Sequence, residues 1–135
     1  MADIRTMLER TNTIAVVGFS THPEKTAHRI PALVKRSGFR VIPVHPYASE
    51  ILGEPAYRRL ADVPESIDMV NVFRPSGEAT GVVHQAIAVG AKAIWLQTGI
   101  TSAEGKRAAG AANIEYVEDE CLGVEVRRLG IMKTR

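Results

Sequence analysis

Short apolar runs alternate with segments of helical period along this whole chain, and no other feature restricts its folding so tightly. The first run, Ile14-Ala15-Val16-Val17, is continuous rather than alternating, as suits a strand covered on both faces. Residues 39–44, 68–73, 91–97 and 114–117 repeat the theme. Between the runs the period changes. Ile4, Met7 and Leu8 share one face of a short opening helix that Thr11-Asn12-Thr13 stops. Ile30, Leu33 and Val34 share a face over residues 27–36, and Ser37-Gly38 ends that helix. Pro31 lies early in it, where its missing N–H costs little if the helix begins near Thr26 or Ala27. Residues 76–90 read as a helix with Ser76 as N-cap and Gly90 just past the end. Residues 102–112 and 122–129 supply two more. The stretch after residue 44 is irregular, with His45-Pro46, Gly53 and Pro55; residues 54–56 could form a short edge strand, since edges tolerate proline.

Strands and helices in strict alternation imply a mainly parallel sheet with helices on both faces, joined by right-handed crossovers. The expected fold is one α/β Rossmann-like domain over residues 1–135, with the first strand central. A hydrophobic fraction of 45% and a charged fraction of 24% are ordinary for such a domain. The formal net charge of +2 argues against nucleic acid as partner, which would call for a concentrated basic face. Arg127, Arg128, Lys133 and Arg135 read instead as a solvated helix end and tail. Cys121 is the only cysteine, so no intrachain disulfide can form, which suits a reducing compartment. No apolar run approaches the ~20 residues of a membrane span. The opening residues are too charged for a secretory signal. The expected location is the cytoplasm.

In open parallel sheets, ligands bind beyond the carboxyl ends of the strands where the strand order reverses. If the first strand neighbours the strand at residues 68–73, the fourth in the chain, two loops meet there: residues 18–25 and 74–77. Each leads into a helix start, with free N–H groups and the positive end of a helix dipole. Together they make an anion site. Gly18 lets a ligand approach the backbone or serves a tight turn. Ser20 and Thr21 offer hydroxyls, Lys25 a mobile point charge, and Arg74 a two-pronged phosphate grip. Phe19 and Ser76 lie in the same two loops and complete the candidate set there.

A nicotinamide dinucleotide fits this loop poorly. Its site wants several glycines, and an acidic residue at the end of the second strand for the ribose. Here that strand ends in Val44-His45-Pro46, without a carboxylate, and Arg40 lies at its amino end. The ligand that suits the loops carries adenine and phosphates and needs no acidic ribose grip.

Several residues read as structural. His22, His28, His45 and His84 have no metal-ligand spacing. His45, at a strand's carboxyl end, is equally readable as a turn residue or a phosphate contact. Trp95 belongs to the core. Gln97-Thr98-Gly99 either borders the site or is a plain turn. Cys121 follows Glu118-Asp119-Glu120, whose charges would raise a thiol pKa, so it reads as structural. The acidic residues near it suit the start of the last helix. No catalytic constellation emerges.

Taken together, "IAVVGFSTHPEK", "GFRVIPVHP", "LGEPAY", "VPESIDMVNVFRP", "AIAVGAKAIWLQTGI" and "CLGVEVRRL" resemble, in order, blocks of the small CoA-binding protein family. They are also similar, more distantly, to the CoA-binding domain that opens the succinyl-CoA synthetase alpha subunit. The resemblance covers nearly the whole chain. It implies binding of coenzyme A (CoA) or an acyl-CoA through Gly18, Ser20, Lys25, the segment Val44, His45 and Pro46, the pair Phe73 and Arg74, and the turn from Gln97 to Gly99. His45 stands where the family has asparagine, Thr26-Ala27 where many members have Pro-Ser, and Glu120 where many have arginine. The phosphates of CoA match the cations, and its ribose phosphate explains why no carboxylate is wanted at His45. Pro43 and Pro46 could offer the adenine an apolar ledge. A binding, carrier or regulatory module, with a protein partner or a homo-oligomer possible, is the preferred reading. An enzyme using a nicotinamide cofactor or transforming acyl-CoA is the alternative.

Overall fold

The computed structural model describes residues 3–134; expectations touching Met1, Ala2 and Arg135 lie outside them. In chain order the elements are α1 (Ile4–Arg10), β1 (Thr13–Val17), α2 (Thr26–Arg36), β2 (Arg40–Val44), β3 (Glu50–Ile51), β4 (Glu54–Pro55), β5 (Met69–Val72), α3 (Ser76–Ala88), β6 (Ala93–Leu96), α4 (Ala103–Ala111), β7 (Glu115–Val117) and α5 (Leu122–Arg128), with a 3-10 turn at Leu60–Asp62. The main sheet runs β2-β1-β5-β6-β7, and every pairing in it is parallel. This is the Rossmann-like α/β domain that the alternation implies. One correction concerns the order: β5, not β1, is central, because only one strand lies outside β1.

Alternate residues on each strand feed two separate cores. Ile14, Val16, Val41, Met69 and Trp95 meet Met7 and Leu8 of α1, Val34 of α2, and Leu122 and Val126 of α5. On the opposite face, Ala15, Val70, Val72, Ile94 and Leu96 meet Ala79, Val83 and Ala86 of α3 and Ala109 of α4. Burial on both faces is why the strands read as continuous apolar runs. Trp95 is fully buried, and its Nε1–H donates to the Glu120 carbonyl at 2.8 Å, as its core assignment requires.

Three local features differ from the sequence reading. α2 begins at Thr26, as expected, but Pro31 then lies inside the helix, past the first turn, where its missing N–H does have a partner to lose. It therefore leaves the Ala27 carbonyl without its helical donor, and the Ser20 N–H takes that place at 3.1 Å, tying the loop after β1 to the helix. Residues 54–55 pair antiparallel with 50–51 in a hairpin, and the backbone bridge to the sheet is made by Tyr57, to Val44. At the start of α3 the N-cap is Pro75, not Ser76, whose Oγ instead accepts the Thr101 N–H at 3.0 Å. Gly38 and Gly90 have positive φ just past α2 and α3, as helix stops do.

Among the described residues, no helix is long and apolar enough to cross a membrane.

Candidate functional site

The strand order reverses between β1 and β5. From β1 the chain crosses to β2 through α2 on one face; from β5 it crosses to β6 through α3 on the other. Their carboxyl ends therefore open a crevice. A cleft of about 620 Å³ lies there.

Gly18 lets the two walls approach at the base of the cleft. It has φ +92°, and a Cβ on it would sit 3.0 Å from the Arg74 Cδ and 3.2 Å from the carbonyl carbon and Cβ of Phe73. The glycine thus serves close approach of the β5–α3 loop as well as the turn. Phe73 N–H donates to the Val17 carbonyl at 2.9 Å, the last ladder bond before the loops diverge. Phe19 is buried in the first core, edge-on to the His28 ring at 5.7 Å, and anchors its loop. His28 Nδ1 lies 2.8 Å from the Ser20 carbonyl, so that nitrogen carries the proton and donates. Ser20 Oγ accepts the His22 N–H at 3.0 Å, which leaves its O–H free to donate.

Gly18, Phe19, Ser20 and Lys25 line the cleft on one side; Val44, His45 and Pro46 form its β2 side, and Phe73 and Arg74 its β5 side. Lys25 occupies the N-cap position of α2, where no side chain caps the helix. Its ammonium makes no ion pair among the described residues. Arg74 is held by Glu78 one turn into α3, with Nη2 at 3.0 and 2.9 Å from the two carboxylate oxygens and Nε at 3.1 Å from one. No side chain caps α3 either. Both helices thus begin beside the crevice with first-turn N–H groups that no side chain caps.

His45 has a defined state. It is 8% exposed, and burial pushes its pKa below the ordinary value of 6.5. Its Nδ1 accepts the backbone N–H groups of Tyr47 at 3.2 Å and Ala48 at 3.0 Å. The ring is therefore neutral with its hydrogen on Nε2. It caps the turn as an asparagine side chain would, while keeping a donor.

The other candidates lie outside the cleft. Gln97 is buried, and its Oε1 accepts Asn71 Nδ2 at 3.1 Å and the Leu122 N–H at 3.0 Å, joining β5, β6 and α5. Gly99 donates its N–H to Asp119 Oδ1 at 2.7 Å. Ser76 is occupied by Thr101. The acidic residues before α5 have specific partners: besides Asp119, Glu118 accepts the Tyr116 hydroxyl at 2.8 Å and the Ser102 N–H at 3.2 Å.

Tyr47, Arg58 and Glu78 line the cleft without having been singled out from the sequence. Glu78 was detectable, since it stands four residues after Arg74 at helical pairing distance. Tyr47 is 78% exposed beside His45, ring centroids 4.5 Å apart and edge-on. Arg58 stands free of any ion pair among the described residues, whereas adjacent Arg59 pairs with Asp62 at 3.2 Å.

A parallel sheet whose switch-point crevice is bordered by two uncapped helix starts and three cations defines the class: a Rossmann-like domain with a cation-lined cleft. The description of the matching family model is a CoA-binding domain, aligned over residues 12–127. The chain belongs to that family. It is 33% identical over 123 residues to protein YneT of Bacillus subtilis, covering 91% of each chain. A solved structure from Thermus thermophilus superposes with a TM-score of 0.89 at 37% identity, covering 93% of this chain and 96% of that one. Acetate–CoA ligase [ADP-forming] II of Archaeoglobus fulgidus is 28% identical over 99 residues, which are 72% of this chain and 15% of the ligase.

Proposed function

We propose that this chain binds CoA or an acyl-CoA in the cleft between the carboxyl ends of β1 and β5, as a binding, carrier or regulatory module. The observation that carries this reading is the electrostatic state of the cleft. Lys25 and Arg58 face it unpaired among the described residues, beside two helix starts that no side chain caps. Such a site favours phosphates strongly. The neutral His45 at the end of β2, in place of a carboxylate, suits a ribose that bears a phosphate. Membership of the CoA-binding domain family and similarity to a CoA ligase support the same ligand.

Within this reading Gly18, Phe19 and Ser20 shape the first wall, and Lys25 with the α2 start receives the pyrophosphate. Val44, His45 and Pro46 border the adenosine, and Phe73 and Arg74 close the far side. The polar groups are arranged to hold anions. Of the two histidines of the cleft, His45 is committed as a neutral turn cap. A cytoplasmic protein with a single unpaired cysteine fits this role.

Thermal unfolding with CoA, acetyl-CoA, NAD, NADP and ATP tests the proposal. A ligand at 100 times its dissociation constant adds about 2.7 kcal/mol to stability. CoA or acetyl-CoA should give the largest shift. NADP also carries a phosphate on its adenosine ribose, so a larger shift with NADP would overturn the proposal in favour of a nicotinamide enzyme. No shift with any member of the panel would overturn it in favour of a protein-binding surface.

A further inference from the structure

We propose that Arg58 recognises the 3′-phosphate of CoA and so decides whether the cleft takes CoA or its dephosphorylated form. This rests on the CoA reading above and assigns the two unpaired cations to different phosphates of one ligand.

The argument begins with backbone geometry. Beyond the hairpin the chain returns to β2, where Tyr57 N–H donates to the Pro43 carbonyl at 3.0 Å and the Tyr57 carbonyl accepts the His45 N–H at 2.8 Å. Those two bonds fix residue 57 beside the last residues of β2, so Arg58 follows directly at that strand's carboxyl end. In doubly wound sheets the end of the second strand is where the adenosine ribose lies, and the residue type there matches what the ribose carries: a carboxylate for free hydroxyls, an arginine for a phosphate. Here the strand ends in neutral His45, and an arginine stands next to it across the bridge.

The chemistry agrees with the placement. A ribose monophosphate is a compact dianion with several acceptor oxygens, and a guanidinium meets it through two parallel N–H bonds. Arg58 is available for this because no carboxylate holds it among the described residues. Its neighbour Arg59 is committed to Asp62 through Nε at 3.3 Å and Nη2 at 3.2 Å. Arg74 has a weaker claim, because a phosphate there must displace Glu78. Lys25 sits at the start of α2, on the loop after β1, the position that receives a pyrophosphate in this architecture.

The division predicts a double dissociation. Isothermal titration with CoA and dephospho-CoA should show that the wild-type chain prefers CoA by about tenfold or more, the effect of one charge-assisted contact. Arg58→Ala should reduce that preference to threefold or less and leave dephospho-CoA affinity within twofold of wild type. Lys25→Ala should weaken both ligands by similar factors and preserve the preference. A preference that survives Arg58→Ala, or an Arg58→Ala variant that loses both ligands equally, would overturn the assignment while leaving CoA binding intact. A wild-type chain that binds neither ligand would overturn the functional reading and this inference with it.

Discussion

The two ends of the sheet carry cavities of similar size whose charges are differently paired. At the carboxyl end the cleft is about 620 Å³; at the amino end a second cavity of about 540 Å³ lies among α1, β6 and β7. Both are lined by charged residues. At the amino end the charges are satisfied: Arg10 meets Glu115 at 2.6 Å, and Lys92 meets Asp68 at 3.7 Å. Asp68 also accepts the N–H groups of Asn12 and Thr13 at 3.0 and 2.9 Å, so it caps the start of β1. At the carboxyl end two cations have no partner among the described residues, and a third is bound by a single displaceable glutamate. Volume alone does not separate the two cavities. The pairing of the charges does, since unpaired cations beside open helix starts favour an incoming anion and a closed ion pair does not.

The contrast can be broken at its geometric root. Gly18→Ala forces a side chain into a positive-φ turn and against the Phe73 backbone. It should cost about 2 kcal/mol of stability, read by chemical denaturation, and should narrow the cleft enough to abolish measurable CoA binding. Gln97→Ala tests scaffold against site. It strips the Leu122 N–H of its acceptor, leaves Asn71 Nδ2 only the Trp95 carbonyl, and should destabilise by about 1–3 kcal/mol, with CoA affinity per folded molecule unchanged by titration.

Charge removal compares the ends directly. Lys25→Ala should weaken CoA about tenfold at low salt and less at high salt, where screening dulls the charge. Lys92→Ala, at the amino end, should change it less than twofold. Glu78→Gln should strengthen CoA about threefold by freeing Arg74, an effect of the size expected for an exposed ion pair. The smallest effect concerns acidity. His45 is neutral when folded, its pKa lowered by burial from 6.5. The unfolded chain then binds the additional proton, so stability is full above about pH 6.5 and declines as pH falls toward the lowered folded value. His45→Asn, which keeps the turn acceptor, should flatten that decline in a pH series of denaturation curves.

Much of the fold was legible because burial on both faces leaves uninterrupted apolar runs such as residues 14–17, and because Gly38 and Gly90 mark helix ends. The loop holding Gly18, Ser20 and Lys25 was legible for a related reason: its place follows from the strand before it and the helix after it. Strand order is not written in periodicity, which is why β5 rather than β1 proved central. The tolerance of Pro31 was credited to an early position because the real compensation comes from Ser20, eleven positions earlier in the chain. Arg58 was invisible for a similar reason. It lies in an irregular stretch, set in place by one bridge to Val44, and Asp62 stands four residues from Arg58 and three from Arg59, so spacing could not say which arginine was free. Gln97 read as a possible site residue because a polar group at a strand end looks the same in sequence whether it faces solvent or two buried donors.

The most direct test is a crystal structure of the chain grown with CoA. The pyrophosphate is expected over the start of α2 beside Lys25, between the carboxyl ends of β1 and β5, with the adenosine 3′-phosphate against Arg58. CoA bound at the amino end of the sheet, or a carboxyl-end cleft that stays empty at saturating CoA, would contradict the assignment of the unpaired cations as its binding site.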